Sequence, residues 1–360
     1  MIYKIGFFAV ICSSLFGIEH IYLKTPNLSR DNIMGINVGI RPWRKAGVRI
    51  EAEHLQDKLI IHNYGYGGSG ITLCFGGANE VLDILNNQNP SSKKVAVLGA
   101  GVVGLATAYA LLEAGYEVCV YSDAWSPHLT SNVGVGIWSP LSLPEDAPKE
   151  KKNLHQRILE SSEREFLRCT GDHPRFAGVR FIASYSFKAK ASQEAITTKH
   201  RGEEVVVHFD NGVVKNGRRI YELGIDGKLF IEDLSSKVQN MGAVLQQRHF
   251  EDLTDICSLE EPVIINCTSV GSRKLFLDEE FILVRGQMIY FKPQEGIDYL
   301  LYENVPDSTT SWVSLFPWSD RIVLGGVYER GIEELVNDPE IIDRIIENAQ
   351  KCLSGESSQK

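Results

Sequence analysis

The sequence predicts an α/β chain, a doubly wound nucleotide-binding domain into which a second domain with a mixed sheet is inserted. Three observations carry that prediction. A buried-strand run, Val95-Ala-Val-Leu98, breaks at Gly99-x-Gly101-x-x-Gly104 and continues at once as an Ala/Leu-rich helix through Tyr109. A second apolar strand, Tyr116-Glu-Val-Cys-Val-Tyr121, follows that helix and ends near Asp123, nineteen residues after Gly104. Beyond them, strand–helix units of the parallel type interleave with alternating strands of the antiparallel type.

Each glycine of the fingerprint has a physical task. Gly99 permits the tight turn, Gly101 lets backbone approach a pyrophosphate, and Gly104 lets helix pack on strand. The helix opening at Val102 and Val103 offers free N–H groups and a positive dipole end, while the Asp123 carboxylate is placed to bind a ribose hydroxyl. By itself the pattern specifies a nicotinamide or flavin dinucleotide. Its position is unusual, because such folds start with this strand and here some ninety residues precede it.

At 360 residues the chain exceeds one ordinary core. With 43% hydrophobic and 23% charged residues and a net charge of −9, it reads as globular, with no nucleic-acid footprint. The one tight basic cluster, Lys149 to Lys152 interrupted by Glu150, reads as a solvated face. Seven cysteines, an odd number without C-x-x-C or Cys/His ligand spacing, predict reduced thiols and no metal site. Residues 1–20 read either as a secretory leader or as an extra buried helix: Lys4 precedes the apolar run Ile5–Phe16, which is too short for a membrane span. Gly17 suits a cleavage point, but Leu15 is bulky where a small residue is favoured. A cytoplasmic location is expected, or a secreted or periplasmic one if the segment is a leader.

Along the chain, Ile60-Ile61 predicts a short strand running into the glycine-rich loop His62-Asn-Tyr-Gly-Tyr-Gly-Gly-Ser-Gly70, followed by an amphipathic helix from Ile71 to Leu85. Asn86 to Ser92 reads as a polar linker. Leu154–Leu167 is helical in pattern; Arg180–Phe187 and Glu204–Phe209 are strands, the latter closed by the turn Asp210-Asn-Gly212. Leu229–Gln239 is a helix ending at Gly242, and Ala243–Gln247 is a strand. Pro262–Thr268, Arg285–Phe291 and Ile322–Tyr328 read as further strands, Glu340–Leu353 as the last helix, and 354–360 as a frayed tail.

Four other segments can carry chemistry. Gly39-Ile-Arg-Pro-Trp-Arg44 holds Arg41 in a restricted pre-proline conformation, suited to binding a carboxylate bidentately, although a surface ion-pair arginine reads the same way. The 62–70 loop brings backbone amides close to a flavin or phosphate, or is merely a tight loop. Thr130-Ser-Asn-Val-Gly-Val-Gly-Ile-Trp-Ser-Pro140 follows the second strand closely enough to cover a cofactor, and Asn266-Cys-Thr-Ser269 closes a strand at the edge where nucleotides bind in such sheets.

Together these segments resemble the D-amino-acid oxidase family of FAD-dependent enzymes over nearly the whole chain after about residue 20. The fingerprint resembles the family's start, and Thr130–Pro140 its threonine-rich flavin loop. Tyr221–Phe230, Asn266-Cys-Thr268, Arg285-Gly-Gln287 and Leu324-Gly-Gly326 follow in family order. Gly39–Arg44 and Ile61–Gly70 look like the family's closing signatures, yet here they come first. The resemblance therefore implies a Rossmann-like FAD-binding domain with an inserted mixed or antiparallel-sheet substrate domain, circularly permuted, with residues 86–93 as the joint. Residues 60–140, 154–185 and 225–275 would form the FAD-binding domain, and 36–59, 186–224 and 280–335 the substrate domain.

The same resemblance implies which residues act. FAD would be held by Gly99, Gly101, Val102, Val103, Gly104, Asp123, Thr130, Ser131, Gly136, Ile137, Trp138 and Thr268, together with Gly65, Gly67, Gly68, Ser69, Gly70, Ile71 and Thr72. Arg41 would pair with the substrate carboxylate, with Gly68, Ser314 and Tyr302 beside it and no metal. The substrates would be a D-amino acid and molecular oxygen, with no nucleic-acid partner; a homodimer is allowed for. The chain departs from the family where carboxylate-holding tyrosines are usual: those positions are Thr310 and Ser314, and Tyr302 compensates only if the loop preceding it folds inward. Tyr66 stands where histidine is common, Ser69 replaces a bulky residue, and Cys267-Thr-Ser269 replaces Cys-Thr-Gly. Phe316 and Trp138 favour an apolar pocket, whereas Arg273 or Lys274 favours an acidic side chain. The alternatives are an oxidase of another amine, such as glycine, an N-methyl amino acid or D-aspartate, and a catalytically weakened flavin-binding protein.

Overall fold

The computed structural model describes residues 18–139, 147–187, 202–305 and 312–354. The expectations for residues 1–17, Pro140, Thr310 and 355–360 lie outside the described residues. Among the described residues no helix is long and apolar enough to cross a membrane.

Two sheets organise the chain. The first has six strands in the order Val244–Gln247, Glu117–Ser122, Lys94–Leu98, Val263–Asn266, Lys58–Tyr64 and Arg49–Leu55, the first five parallel and the last antiparallel. Its central strands are apolar on both faces because both are covered. Helices Gly70–Gln88, Val102–Glu113 and Gly227–Asn240 share one core with Val95, Val97, Ile61 and Ile265. Ile60, Ala96, Leu98 and Ile264 form the core of the opposite face. Helix Lys149–Leu167 lies so close against Gly70–Gln88 that a Cβ at Gly76 would overlap the Ile158 carbonyl.

The second sheet runs Glu19–Leu23, Glu203–Phe209, Val214–Ile225, Val179–Ser186, Leu300–Asn304, Trp312–Pro317, Ile322–Gly325 and Phe281–Phe291, and the last of these also pairs with Ile33–Arg44 and Glu329–Arg330. Helix Pro339–Leu353 seals one face through Ile341, Ile345 and Leu353. The other face, with Ile182, Met288, Leu300, Phe316 and Val323, meets Val133, Val135 and Ile137 of the segment after the second nucleotide strand. That contact places the candidate site between the sheets.

Several boundaries move. The first helix continues to Gln88, where Asn89 closes it in a left-handed conformation, so the joint into the fingerprint strand is residues 89–93 and not 86–93. His62, Asn63 and Tyr64 belong to the strand rather than to the loop after it, because they complete its ladders with Arg49–Leu55 and Val263–Asn266. Residues 19 and 20 begin an edge strand, so an extra helix does not reach them. The Ile322 strand stops at Gly325, three residues short of Tyr328.

The overlap at Gly76 gives a direct test. Gly76→Val should lower stability by about 1–3 kcal/mol or more, read as a reduced Tm, and an unchanged Tm would contradict the close helix contact.

Candidate active site

The fingerprint is assembled by backbone contact. Gly99 has φ +104°, and a Cβ there would lie 2.7 Å from the Cys267 carbonyl oxygen. A Cβ on Gly104 would overlap the Gly99 carbonyl, which is why helix and strand approach so closely. At Gly101 a Cβ would meet only the Ser131 Oγ, at 3.5 Å, so the space in front of the helix is open, as a pyrophosphate requires. The helix has no side-chain cap; the Val102 N–H donates to Ser131 Oγ at 3.2 Å. Asp123 stands exposed at the end of its strand with His249 Nδ1 at 3.5 Å.

Two further segments close on this turn. Gly136 has φ +71°, a side chain there would overlap the Ile225 carbonyl, and Ile137 bridges to Gly224. Thr130 and Ser131 open a single helical turn. In the glycine-rich loop, Gly65, Gly67 and Gly68 all have positive φ. Its polar side chains tie it to the 137–139 backbone: Ser69 Oγ donates to the Ser139 carbonyl at 2.9 Å, and Thr72 Oγ1 donates to the Ile137 carbonyl at 3.3 Å. Gly70 packs beside Val102 and Val103, and Ile71 lies against Gly134 and Gly227. Thr268 Oγ1 donates to Asn266 Oδ1 at 2.7 Å in the turn that backs Gly99. Among the described residues, the buried Asn132 Oδ1 and Trp138 Nε1 have no partner. Open space at Gly101 and an orphaned acceptor at Asn132, in the helical turn that Ser131 belongs to, fit a dinucleotide.

Tyr66, in the place of a histidine, is a buried strut: its hydroxyl donates to Asn63 Oδ1, and Asn63 Nδ2 donates to Thr107 Oγ1 at 3.0 Å. Trp138 corrects the pocket expectation. Its ring sits edge-on to Phe166, 5.5 Å between centroids, in the nucleotide-domain core.

Arg41 lies on the facing sheet. Gly68 and Gly286 leave the room it occupies: a Cβ on Gly68 would lie 3.1 Å from Arg41 Cδ, and one on Gly286 2.5 Å from Nη1. Arg41 Nη1 donates to the Val327 carbonyl at 3.1 Å, and the Tyr328 ring lies 5.7 Å away. Among the described residues no carboxylate pairs with it, and burial pulls its pKa below the usual arginine value. Nearby Arg44 differs, since its Nε donates to Asp278 at 2.9 Å. A desolvated cation without an anion is costly unless a ligand supplies one.

From Arg41 the same sheet face continues across the strands. Asn37 pairs with Met288, Met288 with Gly325, Gly325 with Ser314, and Ser314 with Tyr302. Tyr302 is therefore a strand residue directly opposite Ser314. Ser314 Oγ donates to the Gly325 carbonyl at 3.2 Å. Arg273 and Lys274 do not join this face: they sit on the short helix Ser272–Leu275, Arg273 bound to both oxygens of Glu333 at 3.0 Å and Lys274 to Glu251. Among the described residues no group of three or more ligands is arranged for a metal.

One acid on this face is absent from the sequence-based candidates. Glu222 pairs in register with Ile182, beside Ser184 and within electrostatic reach of Tyr302. Burial pushes its carboxyl up to about 7, and the Ser184 hydroxyl bond opposes that only in part. The alternation Glu222-x-Gly224 was the available signal, but which face is buried is not written in it.

A dinucleotide cradle facing a sheet that presents a buried cation, Arg41, without an anion among the described residues is the arrangement of a dinucleotide-dependent oxidoreductase. Residues 94–359 match the DAO family, FAD dependent oxidoreductase, and the chain belongs to that family, whose cofactor is FAD. It is 24% identical to human D-aspartate oxidase over 275 residues, 74% of this chain and 76% of that one. It is 25% identical to a D-amino-acid oxidase of Streptomyces coelicolor over 264 residues, 70% and 75% of the two chains. In fold it resembles glycine oxidase from Bacillus cereus, with a TM-score of 0.50 and 14% identity over 71% of this chain and 77% of that one.

Glu222 sets a pH test. Its folded-state pKa is raised, so its favourable contribution is complete below about pH 4.5 and is lost as pH rises through about 7. Glu222→Gln should raise Tm relative to the wild type at about pH 8, by about 3 kcal/mol of stability, with the gain vanishing near pH 4. A constant difference across that range would show that Glu222 is not desolvated.

Proposed function

We propose that this chain is an FAD-dependent oxidase that deaminates D-amino acids to 2-oxo acids, ammonia and hydrogen peroxide. The observation that carries the reading is Arg41, a desolvated guanidinium without a carboxylate partner, set between Gly68 of the flavin-side loop and Gly286. A substrate carboxylate supplies the missing anion, and a bidentate pair fixes the rest of the molecule in one orientation. Bound FAD supplies the acceptor for the hydride leaving the α-carbon. Because the amine lone pair drives that departure, positioning accounts for most of the barrier reduction, and no side-chain base is assigned. The resulting imine adds water and releases ammonia, and molecular oxygen takes up the two electrons and two protons as hydrogen peroxide.

Ser314 and Tyr302 line the same face beyond Arg41, with Phe316 adding apolar surface. Glu222 on that face and the ion-paired state of Arg273 and Lys274 argue against an acidic substrate side chain. Ser314 supports the second reading, an oxidase of a smaller amine such as glycine or an N-methyl amino acid. Its hydroxyl is already given to Gly325, so carboxylate binding rests on Arg41.

The test is anaerobic. The yellow protein is mixed with a panel of D-amino acids, glycine, sarcosine and D-aspartate, and flavin bleaching is followed. Bleaching by neutral D-amino acids supports the first reading, bleaching by glycine or sarcosine alone selects the second, and bound flavin that nothing reduces sinks both. Arg41→Met should raise KM and lower kcat together, a loss of about 3–5 kcal/mol in kcat/KM; an unchanged KM would remove Arg41 from the site.

We further propose that the chain is circularly permuted relative to its family. The family match begins at residue 94, yet the segment before it supplies a central parallel strand, Lys58–Tyr64, and the helix Gly70–Gln88. The five-residue joint spans at most about 18 Å. At the other end, Leu28 shares a core with Leu353 of the last helix, so the segment near Pro26 lies by the family's usual connection. Cleaving the joint at Asn89 should leave FAD bound; loss of folding on cleavage would count against it.

A further inference from the structure

His62 is buried at the end of the Lys58–Tyr64 strand, behind the turn that supports Gly99, and no role in the reaction uses it. Its two ring nitrogens have different partners. Nε2 lies 3.0 Å from Glu53 Oε1, and Nδ1 lies 3.0 Å from Asn266 Nδ2. The orientation of Asn266 is fixed by its other contacts: Oδ1 accepts from the Thr268 backbone N–H at 3.1 Å and from Thr268 Oγ1 at 2.7 Å, so Oδ1 cannot turn toward His62. Asn266 Nδ2 must therefore donate to His62 Nδ1, which requires Nδ1 to be bare and the single ring proton to sit on Nε2, given to Glu53.

The turn held this way is the one against which the fingerprint packs. Cys267 N–H donates to the Leu98 carbonyl at 2.9 Å, and the Cys267 carbonyl is what a Cβ on Gly99 would strike. Protonating Nδ1 sets two donors face to face. Either the contact opens or Asn266 rotates, and rotation strips Thr268 of both its bonds to Asn266, leaving its Oγ1 only the Ser272 hydroxyl at 2.9 Å.

We infer that neutral His62 is a positioning residue for FAD, holding the Asn266–Thr268 turn in its cofactor-binding shape and releasing it when the ring gains a second proton. The inference rests on FAD lying at the fingerprint turn. The charged groups around the ring are Glu53, Glu51 and Arg49 on the neighbouring strand and Tyr64 on its own strand, with Asp278 bonded to Tyr64 at 2.7 Å and the Phe276 edge at 4.8 Å. Burial is the largest influence and, with Arg49, it outweighs the two glutamates, lowering the His62 pKa below its ordinary value of 6.5. The turn is thus held at neutral pH and released in mild acid.

The test measures FAD affinity of the whole protein by flavin fluorescence at about pH 7.5 and about pH 5, with circular dichroism reporting the fold. The wild type should lose affinity by up to about tenfold per pH unit below the His62 midpoint. His62→Asn keeps an acceptor facing Asn266 but cannot titrate, so its affinity should be near wild type at the higher pH and flat across the range. His62→Leu should bind weakly at both. A pH loss in His62→Asn equal to that of the wild type, or a His62→Leu variant that binds as tightly as wild type at the higher pH, would overturn the inference. Gly101→Val separates the two readings: it should abolish FAD binding at both pH values, and retention of FAD would overturn the siting of the cofactor itself.

Discussion

Close approach of backbone to backbone around Gly99 is the constraint on which the rest of the molecule is built. The Cys267 carbonyl lies against the α-carbon of Gly99, and the Gly99 carbonyl lies against that of Gly104. Because no side chain intervenes, the fingerprint helix and the Val263–Asn266 strand converge on one turn, and the open end of the helix faces the second sheet. Gly136 and Gly68 repeat the device on the other two segments, the first against Ile225 and the second against Arg41. Four stretches far apart in sequence thus meet without filling the space between them.

Charge is distributed with the same economy. Most buried cations have an anion: Arg44 has Asp278, Arg285 has Glu329, and Arg321 has Asp226. These pairs brace strands. Arg41 and Glu222 share the sheet face turned toward the nucleotide domain, and neither has an opposite charge among the described residues. An uncompensated buried charge costs stability, and such groups concentrate where a ligand or a reaction uses them. The relay from Glu53 through His62 to Asn266 shows the complementary case: a titratable group kept neutral chiefly by its burial and used to hold backbone rather than substrate.

Local signals were legible wherever backbone geometry demanded a residue type. The fingerprint, the Asp210–Gly212 turn and the amphipathic Glu340–Leu353 run are written in the chain, and the structure places the elements there. The resemblance to FAD-dependent oxidases rested on such motifs, and the match over 94–359 supports it. Errors arose where partners from elsewhere decide. His62 to Tyr64 look like the start of a glycine loop, but two neighbouring strands recruit them into a ladder. Trp138 reads as a pocket wall, yet Phe166 draws it into the core.

By itself, the sequence determined the dinucleotide turn and the periodicity of most strands and helices, because glycine spacing and apolar alternation act within a few residues of themselves; it left Arg41 readable as a surface ion-pair arginine, and only the family resemblance singled it out. The tertiary structure alone decided which cations remain without an anion, which face of Val214–Ile225 is buried with Glu222, and which proton tautomer His62 must adopt. Those outcomes depend on desolvation and on hydrogen-bond partners as many as 286 residues away, and no local pattern encodes them.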